Sequence, residues 1–165
     1  GHGLTTKADL ENSAEVWALM LALSQDIGHK LRKYDKRAGG VQIDIRNNQL
    51  KTKQWQCKLS PHTNSAAIIA KAAYTLFERS YSWDYPIRSV TVRAIDLYAA
   101  SAPEQLDMFG NVSVVDKKER LESVVEEIHR RFGKNSILPA TISRSLPKLP
   151  TDREVEIRMP TGMLS

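Results

Sequence analysis

Hydrophobic positions recur every three to four residues in two stretches of the first hundred residues, and this spacing predicts two amphipathic helices. The first helix begins at a capping box over residues 12–15 and ends near Lys36. The second can be capped by Thr63 or Asn64 and is broken before Pro86. Because each helix carries a single apolar stripe, both require a flat surface on which to pack.

An apolar residue at every second position predicts strands that bury one face. These strands are predicted over residues 4–6, 41–46, 52–59 and 87–100. Asn47 and Asn48 supply the turn of a hairpin between the middle two strands, and Pro61 closes the third. The alternation in the last strand slips near Ala94, which indicates a bulge. The order of elements, β-α-β-β-α-β, predicts an α+β two-layer sandwich: a four-stranded antiparallel-type sheet with both helices on one face.

The chain changes character after Gly110. Residues 116–119 have the spacing of a second capping box and open a predicted helix that stops at Gly133. The apolar stripe of this helix consists of Leu121, Val124, Val125, Ile128 and Phe132. From Leu138 onward, prolines and few periodic apolar positions predict an extended tail that is mobile in isolation.

Length and composition favour one domain with an appendage, because 165 residues with 41% hydrophobic content can bury one sizeable core. The predicted parts are a compact domain over residues 1–101, a linker over 102–115, a C-terminal helix over 116–134 and the extended tail over 135–165.

Charge is concentrated in the first part of the chain. Residues 1–100 carry 14 Lys and Arg against 9 Asp and Glu, an excess of 5, whereas residues 101–165 carry 10 of each. A sequence pI of about 9.4 favours an acidic polymer such as nucleic acid as partner. No apolar run has the length of a bilayer span and no signal peptide is evident, so we expect a soluble, cytoplasmic protein without a membrane partner. The single cysteine, Cys57, forms no internal disulfide, which agrees with a reducing compartment.

One face of the predicted sheet is polar. Its residues would be Gln42, Arg46, Thr52, Gln54, Gln56, Lys58, Thr91 and Arg93. Their donors suit phosphate oxygens and carry little information about base identity, which indicates binding along a DNA backbone. The alternative is that any antiparallel sheet with one solvated face is polar there.

Residues 105–109 form a compact peptide plug. The spaced Leu106 and Met108 and the terminal Phe109 can fill pockets on a partner, while the Gln105 amide fixes the orientation.

The sequence contains no recognisable catalytic or metal-binding constellation. The four histidines lack metal-ligand spacing, and there is neither a glycine-rich phosphate loop nor a nucleophile elbow. Asp44 and Asp96 could meet as a paired carboxylate. Solvated positions or pairing with nearby Arg and Lys explain both acids more simply.

Several segments together resemble the C-terminal portion of bacterial Y-family DNA polymerases of the DinB/UmuC type. They are residues 1–6, 56–59, 87–92, 105–110 and 120–133. The resemblance covers roughly residues 1–142, and its order of elements agrees with the pattern above. It identifies the chain as a little finger domain, the part of these polymerases that grips primer-template DNA.

The resemblance implies a role in translesion synthesis during DNA repair and damage tolerance. The little finger would hold the duplex by backbone contacts, and the plug, Gln105, Leu106, Asp107, Met108 and Phe109, would bind the sliding clamp. The parent would be a DNA-directed DNA polymerase, a nucleotidyltransferase whose palm holds the catalytic carboxylates and Mg²⁺. Palm and fingers are absent here, so we expect this chain to have no cofactor and no polymerase activity of its own.

Carried over onto this sequence, the residues expected to border DNA are Thr5, Arg46, Lys51, Lys53, Gln56, Lys58, Arg88 and Arg93. Strand parity decides which of these face the duplex. Lys51 and Lys53 share the parity of the buried Trp55, so they reach DNA only if the strand end projects beyond the helices. Two other classes remain open: an RNA-binding module, and a protein-interaction adaptor that uses the plug and the C-terminal helix.

Overall fold

The computed structural model describes residues 1–102, 112–133 and 136–145. Within these ranges the elements are β1 (His2–Leu10), α1 (Ser13–Lys33), β2 (Lys36–Asn47), β3 (Thr52–Thr63), α2 (Ala66–Ser80), β4 (Ile87–Ala99), α3 (Val112–Phe132) and α4 (Ala140–Ser145). The plug at residues 105–109 and the chain beyond residue 145 lie outside the described residues.

The four strands form one sheet in the order β1, β4, β2, β3, and every neighbouring pair is antiparallel. β1 and β2 therefore run in the same direction with β4 between them, and α1 makes the crossover. α2 makes the matching crossover from β3 to β4, past β2. Both helices pack on one face of the sheet, so the predicted α+β two-layer sandwich is confirmed.

The core lies between this sheet face and the two helices. Its largest fully buried side chains are Leu19 and Met20 of α1, Phe77 of α2 and Ile43 and Ile45 of β2. Their removal from water is the main stabilising contribution to the sandwich.

The predicted start of α1 is confirmed. Asn12 Oδ1 accepts a hydrogen bond from Glu15 N at 3.0 Å, and the Glu15 carboxylate reaches back to Glu11 N at 3.2 Å. α1 ends at Lys33, shortly before the predicted end near Lys36, and the chain enters β2 at Lys36, so Gly39 and Gly40 lie within a strand.

Gly40 is required by close packing within the sheet. A Cβ there would stand 2.9 Å from Ile95 Cγ1 and 3.1 Å from the Cys57 carbonyl oxygen. In α1, Gly28 plays a similar part, because a Cβ would stand 3.0 Å from Ala66 Cβ and 3.1 Å from the Asn64 carbonyl oxygen. The missing side chain lets α1 approach the first turn of α2.

The β2–β3 hairpin is confirmed, but its details differ from the prediction. Asn47 Oδ1 accepts from Lys51 N at 3.0 Å, and the left-handed residue is Leu50, with a φ of 63°. Pro61 does not close β3, which continues to Thr63 after a shift in its pairing with β2.

The start of α2 also differs from the prediction. Its N-cap is Ser65, whose Oγ accepts from Ile68 N at 3.4 Å; the predicted caps Thr63 and Asn64 lie just before it.

The bulge predicted near Ala94 lies elsewhere. The pairing of β4 with β2 is unbroken from Ser89 to Ala99, and the shift falls at Arg88. Asp96, with a φ of 51°, is the irregular residue in the later part of the strand. The alternation of side chains therefore showed that β4 is irregular, but it placed the bulged residue near Ala94 when it is Arg88.

The C-terminal helix begins earlier than predicted. α3 starts at Val112, four residues before Asp116, so residues 116–119 are not its capping box. The predicted stop is confirmed, because Gly133 has a φ of 93° just after the helix.

Part of the predicted extended tail is helical. α4 lies within residues 135–165, and its Ile142 is buried. None of the helices in the described part of the chain is both long and apolar enough to cross a membrane.

Candidate nucleic-acid interface

The sheet face opposite the helices is built from side chains that line up in rows across the strands. In one row Arg46 of β2 stands beside Thr52 of β3 and Ser89 of β4, and Ser89 pairs in turn with Thr5 of β1. This row places a guanidinium among three hydroxyl side chains.

The next three rows carry the remaining polar groups of this face. Asp44 stands between Gln54 and Thr91. In the following row, Gln42 stands between Gln56 and Arg93, and Lys58 follows on β3 beside Gly40. Among the described residues of these four rows there is no aromatic side chain, so the face offers hydrogen-bond donors but no platform for stacking bases.

Arg46 lies in a shallow depression of this face, lined by Thr5, Asp44, Thr52, Ser89 and Thr91. Its Nη2 donates to Thr5 Oγ1 across 3.5 Å, a long and weak hydrogen bond. Within the described residues Arg46 Nε has no hydrogen-bond partner. Nε is buried, so the guanidinium is held within the chain by one weak bond, and its place among hydroxyl groups in an open depression suits an oxyanion.

Asp44 is the acidic residue of these rows, and it is held by its neighbours. Its Oδ2 lies 3.2 Å from Arg93 Nη2, and its Oδ1 accepts from Gln42 Nε2 at 3.2 Å. The carboxylate is mostly buried, whereas half of the Arg93 side chain is exposed. Asp44 thus orients Arg93 and also offsets part of the positive charge of this face.

Five of the residues predicted to border DNA share this open face: Thr5, Arg46, Gln56, Lys58 and Arg93. Sequence reasoning left Ser89 out of the set. The signal that could have found it is its strand parity with Thr91 and Arg93.

Arg88 is separate from the rows, because it occupies the irregular position of β4. Its Nη1 lies 3.1 Å from Asp9 Oδ1. The pair lies toward the β1 edge of the sheet, and almost half of the Arg88 side chain remains exposed.

Lys51 and Lys53 also lie apart from the open face. Both are exposed, and they line a second depression together with Tyr81 and Tyr85 from the chain that follows α2. They therefore project near the turn end of β3, on the side of the helices.

α3 docks beside this sandwich through carboxylates. Glu119, which is buried, accepts from Thr63 Oγ1 at 2.9 Å, Asn64 N at 3.1 Å and Arg37 Nη2 at 2.8 Å. These contacts join α3 to the end of β3 and the start of β2.

Glu122 caps the start of α2 from outside that helix. It accepts from Ala66 N at 2.8 Å, Ala67 N at 3.0 Å and Ser65 Oγ at 2.6 Å, and it pairs with Arg32 of α1 at 2.9 Å. The first amides of a helix have no partner within it, and its dipole favours a negative charge there. Glu122 therefore satisfies two free amides and one guanidinium at once.

Glu126 completes this contact one turn further on, bonding to Arg32 Nε and, at 2.6 Å, to His29 Nδ1. Partial burial alone would raise the pKa of Glu126. The hydrogen bond and charge of Arg32, with smaller contributions from His29, outweigh that effect and hold the pKa below its ordinary value.

The two acids considered for metal chemistry do not meet. Asp44 pairs across the sheet with Thr91, whereas Asp96 lies five positions further along β4, near Gly39. The salt bridge to Arg93 explains Asp44, as the simpler alternative predicted. In the described part of the chain no three His, Cys, Asp or Glu side chains converge on a metal site.

Residues 1–108 match the impB/mucB/samB family C-terminal domain. The match covers most of the chain, and the chain therefore belongs to this family as a little finger domain of the Y-family DNA polymerases.

Two relatives extend the match beyond residue 108. The chain is 33% identical over 137 residues to a DNA polymerase IV of Acetivibrio thermocellus, covering 83% of this chain and 34% of the relative. It is 30% identical over 141 residues to a DNA polymerase IV 2 of Halalkalibacterium halodurans, covering 83% of this chain and 33% of the relative. The chain spans about a third of the length of these curated relatives.

Among solved structures, the chain is similar to one described as a complex of beta-clamp processivity factor and little finger domain of PolIV. The TM-score is 0.47 and the identity 12%, and the similar region covers 67% of this chain and 95% of that one.

Proposed function

We propose that this chain is the DNA-binding and clamp-binding part of a longer cytoplasmic DNA polymerase that copies past damaged template bases. The open sheet face carries the proposal, because it gathers Arg46, Arg93 and Lys58 with several hydroxyl and amide groups around a single carboxylate. Catalysis, with its Mg²⁺, belongs to the palm of the longer protein. This chain positions that palm on the DNA.

The proposed contacts are with phosphates. Arg46 is weakly held in a depression among hydroxyl groups, and Arg93 is oriented by Asp44 while half exposed. Such groups neutralise phosphate charge and release counterions without reading base edges. A duplex distorted by a lesion keeps its phosphates, so this mode of binding tolerates damage.

The other residues predicted to border DNA would contribute less than Arg46 and Arg93. Thr5, Gln56 and Lys58 share the open face, and Arg88 stands at the β1 side. Lys51 and Lys53 reach a phosphate only from the rim, where β3 begins.

The plug supplies the second proposed partner, the sliding clamp. Gln105, Leu106, Asp107, Met108 and Phe109 would occupy a pocket on the clamp and hold the sheet face close to DNA. Linking the two binding events raises occupancy by effective concentration, by about 10² or more, without new DNA contacts.

A salt titration tests the DNA-binding half of the proposal. Duplex affinity measured by fluorescence anisotropy should fall with salt, and the slope of log K against log salt should be about −0.9 for each phosphate neutralised. Arg46→Ala should make the slope shallower by about one unit. Lys71→Ala, which removes an exposed lysine from α2, should leave it unchanged.

Two results would reject the backbone-gripping role. One is the absence of a salt slope, which favours the adaptor. The other is tighter binding of single-stranded RNA than of duplex DNA, which favours the RNA-binding module.

The clamp half is tested separately. Replacing Leu106 and Phe109 by Ala should abolish binding to the sliding clamp while DNA affinity stays intact. Loss of both activities together would contradict separate sites.

A further inference from the structure

α3 is amphipathic with its polar side turned inward. Val115, Glu119, Glu122 and Glu126 face the sandwich. The exposed apolar side chains lie about 130° away around the helix axis, at 100° per residue. They are Val114, Leu121, Val124 and Phe132, which are 47%, 63%, 58% and 75% exposed.

This arrangement reverses the usual one, in which the apolar stripe of a surface helix packs on the core. Here the carboxylates of α3 bind Arg32, Arg37 and the free amides of α2. The apolar stripe therefore faces outward. Large apolar side chains exposed together on one side of a helix mark a surface that another molecule covers.

The short distance along the chain between the plug and this stripe indicates which molecule covers it. Phe109 precedes Val112 by three residues, a reach of about 10 Å at most. Whatever holds Phe109 is therefore brought close to the first turn of α3, while the carboxylate contacts keep α3 on the sandwich. Exposed Lys117 and Arg120 lie beside the stripe near the start of α3, whereas Arg131 is paired with Glu127, so the matching surface is apolar with an acidic border at that end.

We propose that the outer stripe of α3 is a second contact with the sliding clamp that takes the plug. This proposal rests on the proposed function, because it assumes that residues 105–109 bind the clamp. The plug would supply the first attachment, and the stripe would fix the orientation of the sandwich relative to the clamp surface.

The contact should weaken along the helix. Val114 follows Phe109 by five residues and Leu121 by twelve, whereas Phe132 is about 27 Å beyond Val114 at a rise of 1.5 Å per residue. Substitutions near the start of α3 should therefore matter more than Phe132→Ser.

The experiment measures binding of the full chain to the purified sliding clamp of the same organism by calorimetry. Leu121→Ser combined with Val124→Ser should weaken binding about tenfold, because two apolar side chains that the clamp would bury are replaced by polar ones. Val114→Ser alone should weaken it measurably. Leu50→Ser is the matched control, since Leu50 is even more exposed, at 71%, but lies in the β2–β3 turn.

Three outcomes would overturn the inference. If the stripe variants bind like the unsubstituted chain while Leu106→Ala with Phe109→Ala abolishes binding, the stripe is not a clamp contact and the proposed function stands. If the unsubstituted chain shows no clamp binding, this inference and the clamp half of the proposed function are both wrong, while the DNA-binding half still depends on the salt titration. If sedimentation shows a dimer that Leu121→Ser with Val124→Ser converts to monomer, the stripe joins two copies of this chain.

Discussion

Replacing Glu122 by Ala should destabilise the protein. Its carboxylate is 18% exposed and accepts hydrogen bonds from Ser65, Ala66, Ala67 and Arg32. The variant therefore leaves the first amides of α2 without this acceptor and removes one of the three ion pairs that hold α3 to α1.

The magnitude follows from these contacts. Loss of a capping acceptor costs about 1 kcal/mol. Loss of a partly buried, charge-assisted hydrogen bond to Arg32 costs about 1.5 kcal/mol, moderated because Arg32 keeps Glu126. The free energy of unfolding should fall by about 2 to 3 kcal/mol. For a chain of this length that lowers the melting midpoint by about 6 to 9 °C.

Thermal unfolding followed by circular dichroism measures this change. Glu127→Ala is the matched control, because Glu127 lies on the same helix and bonds to Arg130 and Arg131 of that helix. It should shift the midpoint by less than about 1 °C. Equal melting midpoints for Glu122→Ala and Glu127→Ala would refute the claim that carboxylates hold α3 on the sandwich. They would also remove the reason for the apolar stripe to face solvent.

Three further predictions concern the open face, the pH response and helix packing. Asp44→Asn should tighten duplex binding about threefold near 0.1 M salt, because it removes a negative charge beside the phosphates; unchanged affinity would show that DNA does not approach Asp44. Since the pKa of Glu126 is depressed in the folded protein, its stabilisation is full above the ordinary glutamate pKa of about 4.3 and is lost as pH falls through the lowered value. Protection of the α3 amides against hydrogen exchange, taken relative to the intrinsic exchange rate at each pH, should therefore fall at low pH. The same fall in protection in Glu126→Gln would contradict Glu126 as the source. Gly28→Ala should lower stability by about 1 kcal/mol although alanine favours helix, because its Cβ would crowd the start of α2; a stabilised variant would show that the helices move apart freely.

Local patterns were sufficient wherever the deciding interaction lies between near neighbours in sequence. The two-residue period assigned Val90 and Val92 to the core and Thr91 and Arg93 to the open face, because side chains alternate along any strand. The Asn12 cap and the Gly133 stop depend on residues within one helical turn, and both are confirmed. Residues 105–109 lie outside the described residues, and their role in clamp binding stays a prediction.

The amino-acid sequence alone therefore determined the order of elements, the open face and the family. Tertiary structure alone decided how those elements meet. Periodicity located the apolar stripe of α3, but the side that docks depends on Arg32, Arg37 and the amides of α2, which lie more than fifty residues away. Pairing across strands likewise joined Asp44 to Arg93 and left Lys51 and Lys53 on the helix side. The physical reason is that charge pairing and amide capping act at about 3 Å in space, and such proximity is created only when distant parts of the chain fold together.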